Sequence, residues 1–165
     1  MGMLRLMYKE LLANQGISTV FNPDVVILQR NRNFRQRSRV MQLFHNGCLA
    51  TAEDFYHAAA IFYHGSSRRD FFQAWLFAEM AADRRYCPVG TEPHPKWLAA
   101  AAKDRYLIKS NMLQHFGTQS MPPGMTSKAL HCTVRGLWPV DPTVSDELRK
   151  QWHVPPLERR SLART

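Results

Sequence analysis

An aspartate and an arginine stand side by side in an otherwise alanine-rich segment, W-L-A-A-A-A-K-D-R-Y-L, residues 97–107. Gln114, Thr118 and Gln119 follow at once, in the turn Q-H-F-G-T-Q around Gly117. Burying a charge is costly unless it is paired and hydrogen-bonded, so Asp104 and Arg105 beside packing alanines mark a polar centre. Arginine offers a rigid donor fork to a carboxylate or phosphate, and aspartate accepts or removes a proton. Gly117 allows a tight turn that exposes backbone N–H groups to an anion. The pattern supports two outcomes. One is a pocket in which Arg105, Gln114, Thr118 and Gln119 hold a small polar or anionic ligand. The other is a network that pins a helix to the loop behind it.

His64 stands immediately before Gly65, at an expected helix end. A protonated histidine is favoured there by the helix dipole, by about 0.3–1 kcal/mol. Set against Asp104 it would instead form an acid/base pair, with the carboxylate orienting a general base. Arg30 and Arg37 interrupt an apolar stripe, which predicts that one of them turns inward toward a carboxylate or ligand; Arg37 joins the candidate binding set. Metal chemistry has no framework: H-E-x-x-H and C-x-x-C are absent, and His94, His115, His131 and His153 fall in scattered loops. His57 lies two turns from His64, roughly 10 Å along a helix, too far for one ion to take both. No G-x-x-x-x-G-K-S/T loop, G-x-G-x-x-G fingerprint or G-x-S-x-G elbow occurs. Neither a metal nor a cofactor is expected.

The elements that must carry these groups are legible as helices. Asn22-Pro23-Asp24 reads as an N-cap, first helical residue and first-turn acid, opening a helix that runs to Asn46 and stops at Gly47. Its apolar positions are Val26, Phe34, Met41 and Phe44. Thr51–Asp54 forms a capping box with Asp as the returning acid, and Phe55, Ala58, Ala59 and Phe62 share the face behind it. Ser67 caps the next helix, with Asp70 at the box position and Phe71, Ala74, Trp75, Ala78 and Ala82 inward. So short a linker predicts an antiparallel hairpin over 51–84. After a loop with Pro88, Gly90 and Pro93, Pro95 opens a helix to about Asn111, with Trp97, Ala101, Asp104 and Ile108 on one face. Residues 129–140 suit a short strand, and Asp141-Pro142 starts a last helical turn over Val144–Trp152. The expected architecture is all-α: a hairpin packed with two further helices and wrapped by an irregular C-terminal segment. It forms one domain, with 1–20 an N-terminal extension, 22–119 the helical core and 120–165 the wrap.

The chain has 165 residues, enough for one hydrophobic core, and its apolar fraction of 45% is ordinary. No run approaches the roughly 18–20 apolar residues of a membrane span. The N-terminus lacks the apolar region of a secretory signal and reads as an amphipathic helix with Leu4, Met7, Leu11 and Leu12 on one face. Cys48, Cys87 and Cys132 are too scattered for a disulfide framework, which predicts buried, reduced thiols and a cytoplasmic setting. The net charge is +9, and Arg30, Arg32, Arg35, Arg37 and Arg39 concentrate part of it in one helix. Such a run favours an acidic protein or nucleic acid as partner, although no helix-turn-helix, zinc finger or RNA-binding aromatic signature accompanies it.

Three segments, H-A-A-A-I-F-Y-H-G (57–65), W-L-A-A-A-A-K-D-R-Y-L (97–107) and Q-H-F-G-T-Q (114–119), resemble an uncharacterised bacterial family of small helical proteins. That family's pattern runs A-A-x-I-F-Q-H-G, then W-L-A-A-x-x-D-R-x-L, then Q-x-(F/Y)-G-T-Q. The ending D-P-T-V-S-D-E-L-R-K-Q-W-H-V-P-P-L (141–157) is similar as well, so the resemblance spans about residues 20–157. Tyr63 stands where the family has glutamine. The resemblance implies a helical fold and the same polar centre, with no activity attached. Residues 63–82 also resemble a helical-repeat hairpin of the Sel1/tetratricopeptide kind, but no second copy follows, and such arrays need about three.

The sequence thus favours a pocket for a small polar or anionic ligand, with proton transfer through His64 and Asp104 as its chemistry if it catalyses. The alternative is a non-catalytic interaction module acting through the Arg-rich helix 30–39.

Overall fold

Two helices begin by the same device. The Thr51 hydroxyl accepts the Asp54 N–H at 3.1 Å while the Asp54 carboxylate accepts the Thr51 N–H at 2.9 Å. The Ser67 hydroxyl accepts the Asp70 N–H at 3.1 Å, and the Asp70 carboxylate accepts the N–H groups of Ser67 at 3.0 Å and Ser66 at 3.1 Å. Both capping boxes read from the sequence are formed. In the computed structural model, which describes residues 2–14, 23–122 and 136–157, they open α3 (Ala52–Tyr63) and α4 (Arg68–Asp83) of the expected hairpin. The other helices are α1 (Met3–Asn14), α2 (Pro23–His45), α5 (Pro95–Lys109) and α6 (Asp146–Gln151). The fold is all-α: α3 packs on α4 and α4 on α5, with α1 and α2 against α3.

The centre of the core is α3, whose residues Phe55 to Phe62 are all buried. Phe77 fills the space opposite, its ring 5.2 Å from Phe44 and 5.7 Å from Phe62. Phe77 and Ala81 were not among the expected inward residues, whereas Trp75 and Ala82 are only half-buried. The cause is that α4 is covered on two sides, by α3 and by α5, so its buried stripe is wider than one helical face. Alanines make the second contact: Ala74, Ala78 and Ala81 of α4 and Ala99 to Ala102 of α5 are wholly buried, which allows close approach of the axes.

Two terminal expectations need correction. Leu4, Tyr8 and Leu11 are the buried face of α1, and Leu12 is 47% exposed. Tyr8 stacks on His57 with ring centroids 4.5 Å apart, so α1 is part of the core rather than an extension from it. On α2, Phe34 is 65% exposed and Val40, with Gln36, takes the inward position. A glutamine facing the core hid the register, because Gln36 points its amide at the Met7 carbonyl and the Glu10 carboxylate of α1. The predicted cap Asn22 lies outside the described residues. Gly47 does end the helix: at φ +68°, with Cys48 N–H on the Leu43 carbonyl and Gly47 N–H on that of Phe44, it closes a Schellman turn.

Toward the C-terminus, the expected strand over 129–140 lies partly outside the described residues. What is described there is two isolated bridges, Gln114 with Val140 and Ser120 with Leu137. The last helix starts at Asp146, capped by Ser145, instead of at Asp141-Pro142, because the Asp141 carboxylate is turned back on Thr143, accepting its N–H at 2.9 Å and its hydroxyl at 2.7 Å. Cys48 and Cys87 are exposed and free rather than buried, and Cys132 lies outside the described residues. No helix among the described residues is long and apolar enough to cross a membrane.

Candidate functional site

Asp104 is fully buried, and its carboxylate is fully occupied. One oxygen accepts the N–H groups of His115 at 2.7 Å and Phe116 at 2.9 Å. The other accepts the N–H of Thr118 at 2.9 Å and its hydroxyl at 2.8 Å. Burial raises the pKa above the usual aspartate value, and these four donors act against that rise. A carboxylate holding three backbone N–H groups of one loop is a fastener for that loop. It has no oxygen left for a substrate, and it does not hydrogen-bond His64. The expected His64–Asp104 acid/base pair is therefore not assembled.

The rest of the polar centre continues this fastening. Gln114, also fully buried, donates to the carbonyls of Trp138 at 2.6 Å and Gln119 at 3.1 Å and accepts the Gln119 N–H at 3.0 Å. It ties the 114–119 turn to the C-terminal wrap. Gly117 is needed here: its φ is +72°, and a Cβ on it would sit 2.6 Å from a methyl of Leu157. Arg105 does not pair with Asp104. Its Nε donates to the Gln119 side-chain oxygen at 3.0 Å and its Nη1 to the Tyr63 carbonyl at 2.9 Å, at the C-terminal end of α3 where a cation is favoured. Its guanidinium also lies 4.0 Å from the centre of the Tyr63 ring. Thr118 and Gln119 bond each other at 2.9 Å, completing a chain from Tyr63 through Arg105, Gln119 and Thr118 to Asp104.

His64 caps α3 as expected, and it opens on a different cleft, of about 350 Å³, with Arg30, Asn33, Arg37, Gly65 and Ser66. Although the residue is exposed, the packing about its ring and the charge of Arg105 lower its pKa. Arg37 turns inward, as predicted, and meets a carboxylate: its Nε is 3.1 Å from Asp70. Burial alone would raise the Asp70 pKa, but Ser67, Ser66 and Arg37 together hold it below the usual value. Arg30, Arg32, Arg35 and Arg39 are exposed. The seven candidate residues therefore divide into a sealed set (Asp104, Gln114 and Thr118), an open pair (Arg105 and Gln119) and a separate pair (His64 and Arg37).

Two adjoining hollows lie beside the sealed set. The first, about 470 Å³, is lined by Arg105, Lys109, Asn111, Gln119 and Ser120 together with Phe71, Ile108 and Trp138. The second, about 590 Å³, shares Ile108, Asn111 and Trp138 with it and adds Met112, Leu113, Pro139, His115 and Asp141. His115 and Asp141 were not singled out from the sequence. They lie in two separate segments, Q-H-F-G-T-Q and D-P-T-V-S, that no spacing links; only the fastening of the 114–119 turn to the wrap brings His115 Nε2 to 4.0 Å from the Asp141 carboxylate. Burial and the charge of Lys103 lower the His115 pKa, while Asp141 and Asp104 act upward. Among the described residues no cluster of three histidine, cysteine or acidic side chains is placed to hold a metal.

Compared with protein-family models, curated proteins and solved structures, the chain matches none of them. Its functional assignment rests on this geometry.

Proposed function

We propose that this chain binds a small anionic ligand with an apolar body, in the hollow beside Arg105 and Gln119. The observation that carries the reading is the make-up of that hollow: two cations, Arg105 and Lys109, and the Gln119 amide face the apolar walls Phe71, Ile108 and Trp138, with no carboxylate in the lining. Arg105 is already oriented by Gln119 and Tyr63, and Nη2 remains for an anion. Apolar walls with a few oriented polar groups are the ordinary make-up of small-molecule sites. Asp104 supports the site from beneath.

Naphthoate and its neutral amide test this reading by titration calorimetry. Naphthoate is expected to bind, the amide about tenfold more weakly or not at all, and Lys109→Ala to remove most of that preference, which corresponds to about 1.4 kcal/mol. Lys109 is exposed, so its loss leaves the melting temperature in place. Equal binding of acid and amide, or of neither, contradicts the reading.

A second reading is favoured by one specific observation. Arg30, Arg32, Arg35 and Arg39 are exposed on α2 near exposed Ile27, Leu28 and Phe34. Such a surface suits an acidic protein or nucleic acid. Binding of this kind weakens steeply with salt and collapses when Arg32, Arg35 and Arg39 become alanine.

A further inference from the structure

The geometry points to His115 as a general base, positioned by Asp141, acting on a ligand held in the 590 Å³ hollow. The inference deepens the ligand-binding reading, since this hollow shares the wall formed by Ile108, Asn111 and Trp138 with the cationic one. Three features set the pair apart from a chance surface contact.

The His115 backbone is gripped from both sides by buried charges. Its N–H goes to Asp104 at 2.7 Å, and its carbonyl accepts Nη2 of Arg149 at 3.1 Å. Asp104 is fully buried and Arg149 is 2% exposed. Arg149 is itself fixed by Asp146 at 3.0 Å and by the Val144 carbonyl at 2.6 Å. Reactive side chains need this kind of rigid support.

Asp141 is oriented as well. Thr143 donates its N–H and hydroxyl to one carboxylate oxygen, and the other oxygen is the one that faces His115 Nε2. At 4.0 Å the contact is longer than a hydrogen bond, as catalytic contacts often are before a ligand draws them together. Because Asp141 lies on the Nε2 side, the proton of the neutral ring is assigned to Nε2 and the base to Nδ1.

The protonation state also suits a base. Burial and Lys103 of α5 lower the His115 pKa below 6.5, so the ring is neutral at pH 7, while Asp141 on the wrap and Asp104 beneath stabilise the imidazolium that forms on proton uptake. Both the half-buried ring and its carboxylate border apolar walls from Ile108, Met112, Leu113, Trp138 and Pro139.

Elimination of nitrobenzisoxazole is a direct probe, because it is a flat apolar substrate that needs only a base. His115 Nδ1 takes the C–H proton of the isoxazole ring. The C–H electron pair forms the nitrile, the N–O bond breaks, and its pair leaves on the phenolate oxygen. The imidazolium then returns its proton to water.

Wild-type protein is expected to exceed His115→Gln by about tenfold or more, with a rate that rises through a single ionisation as the base deprotonates. Asp141→Asn is expected to lower the rate several-fold and to move that ionisation to lower pH, by removing a charge that acts upward on it. The helical circular-dichroism signal verifies that both variants are folded. Equal rates for wild type and His115→Gln overturn the proposal. An Asp141→Asn profile with unchanged midpoint, confirmed by NMR titration of the His115 ring, overturns the pairing. Naphthoate binding is read separately at Lys109, so its failure is distinguishable from failure of the base.

Discussion

Asp104 and Asp141 sit at opposite ends of one construction, the 114–119 turn and its wrap, and they do opposite things. Asp104 is fully buried and spreads four donors over two oxygens. Asp141 is partly open and gathers both of its donors on one oxygen, leaving the other toward His115. The contrast teaches that a saturated carboxylate builds structure, whereas one with an unsaturated oxygen at a cavity wall is available for chemistry. Burial of charge in the sequence pointed to the first of these; availability belongs to the second.

The largest expected effect lies at the sealed end. Asp104→Ala leaves the N–H groups of His115, Phe116 and Thr118 without their acceptor inside the protein. At about 1–3 kcal/mol for each buried unsatisfied group, the loss should exceed 3 kcal/mol or so, a large share of a domain's stability. Urea unfolding checks it. A variant that melts as the wild type does would show that the loop needs no fastener and would erase the contrast.

Gln114→Ala comes next. It removes two donations and one acceptance from a fully buried side chain and opens a void, so about 2–4 kcal/mol is expected. Because Gln114 joins the turn to Trp138, the variant should also disturb the wall shared by both hollows. A drop in stability together with weakened naphthoate binding sharpens the comparison, since it shows the sealed set holding the open one in shape.

A smaller effect separates the two regions by pH. His57 in the core and His115 at the hollow both have pKa values lowered chiefly by burial. For such a group the unfolded chain takes up the proton first. The stabilisation is therefore present above the ordinary value of 6.5 and is lost as pH falls below it toward the folded value. Melting temperature should fall on acidification through that window. His64 and His94, whose pKa values are also lowered, add to that slope with the same sign. His57 is 3% exposed and under Tyr8, so His57→Gln should flatten the slope more than His115→Gln does. The reverse result would place the larger desolvation at the hollow.

Much of this framework was legible in the sequence, for physical reasons that differ from place to place. Thr51–Asp54 and Ser67–Asp70 are local devices, complete within four residues, and both formed as read. Gly47 and Pro95 are likewise local. Gln36 and Tyr8 were missed because a core-facing glutamine and a half-polar ring break the apolar period that marks a buried face. Asp104 with Thr118 was recognised as a centre, and a network pinning the helix to the loop was one of its two expected outcomes. That backbone N–H groups rather than Arg105 do the sealing was not legible, since they carry no signature in the residue types. His115 with Asp141 was invisible for a related reason: their approach is set by Arg149, Gln114 and Asp104 holding two distant segments together. A local pattern predicts a local geometry, and a site made by the wrap is seen only once the wrap is in place.

The smallest expected effect is at Asp141 itself, and it is the most informative. Asp141→Asn keeps an oxygen for Thr143 and removes one charge from a partly exposed group, so stability should change by less than about 1 kcal/mol. At Asp104 the same chemical change, Asp104→Asn, puts an amide N–H₂ against N–H donors and should cost about 2 kcal/mol or more. Urea midpoints of the two variants, measured side by side, compare one substitution in two environments. A near-silent Asp141→Asn with a lowered His115 pKa assigns Asp141 to the ring and not to the fold. A large loss there would mean that Asp141 anchors the start of α6 through Thr143, and the two carboxylates would then be fasteners of the same kind.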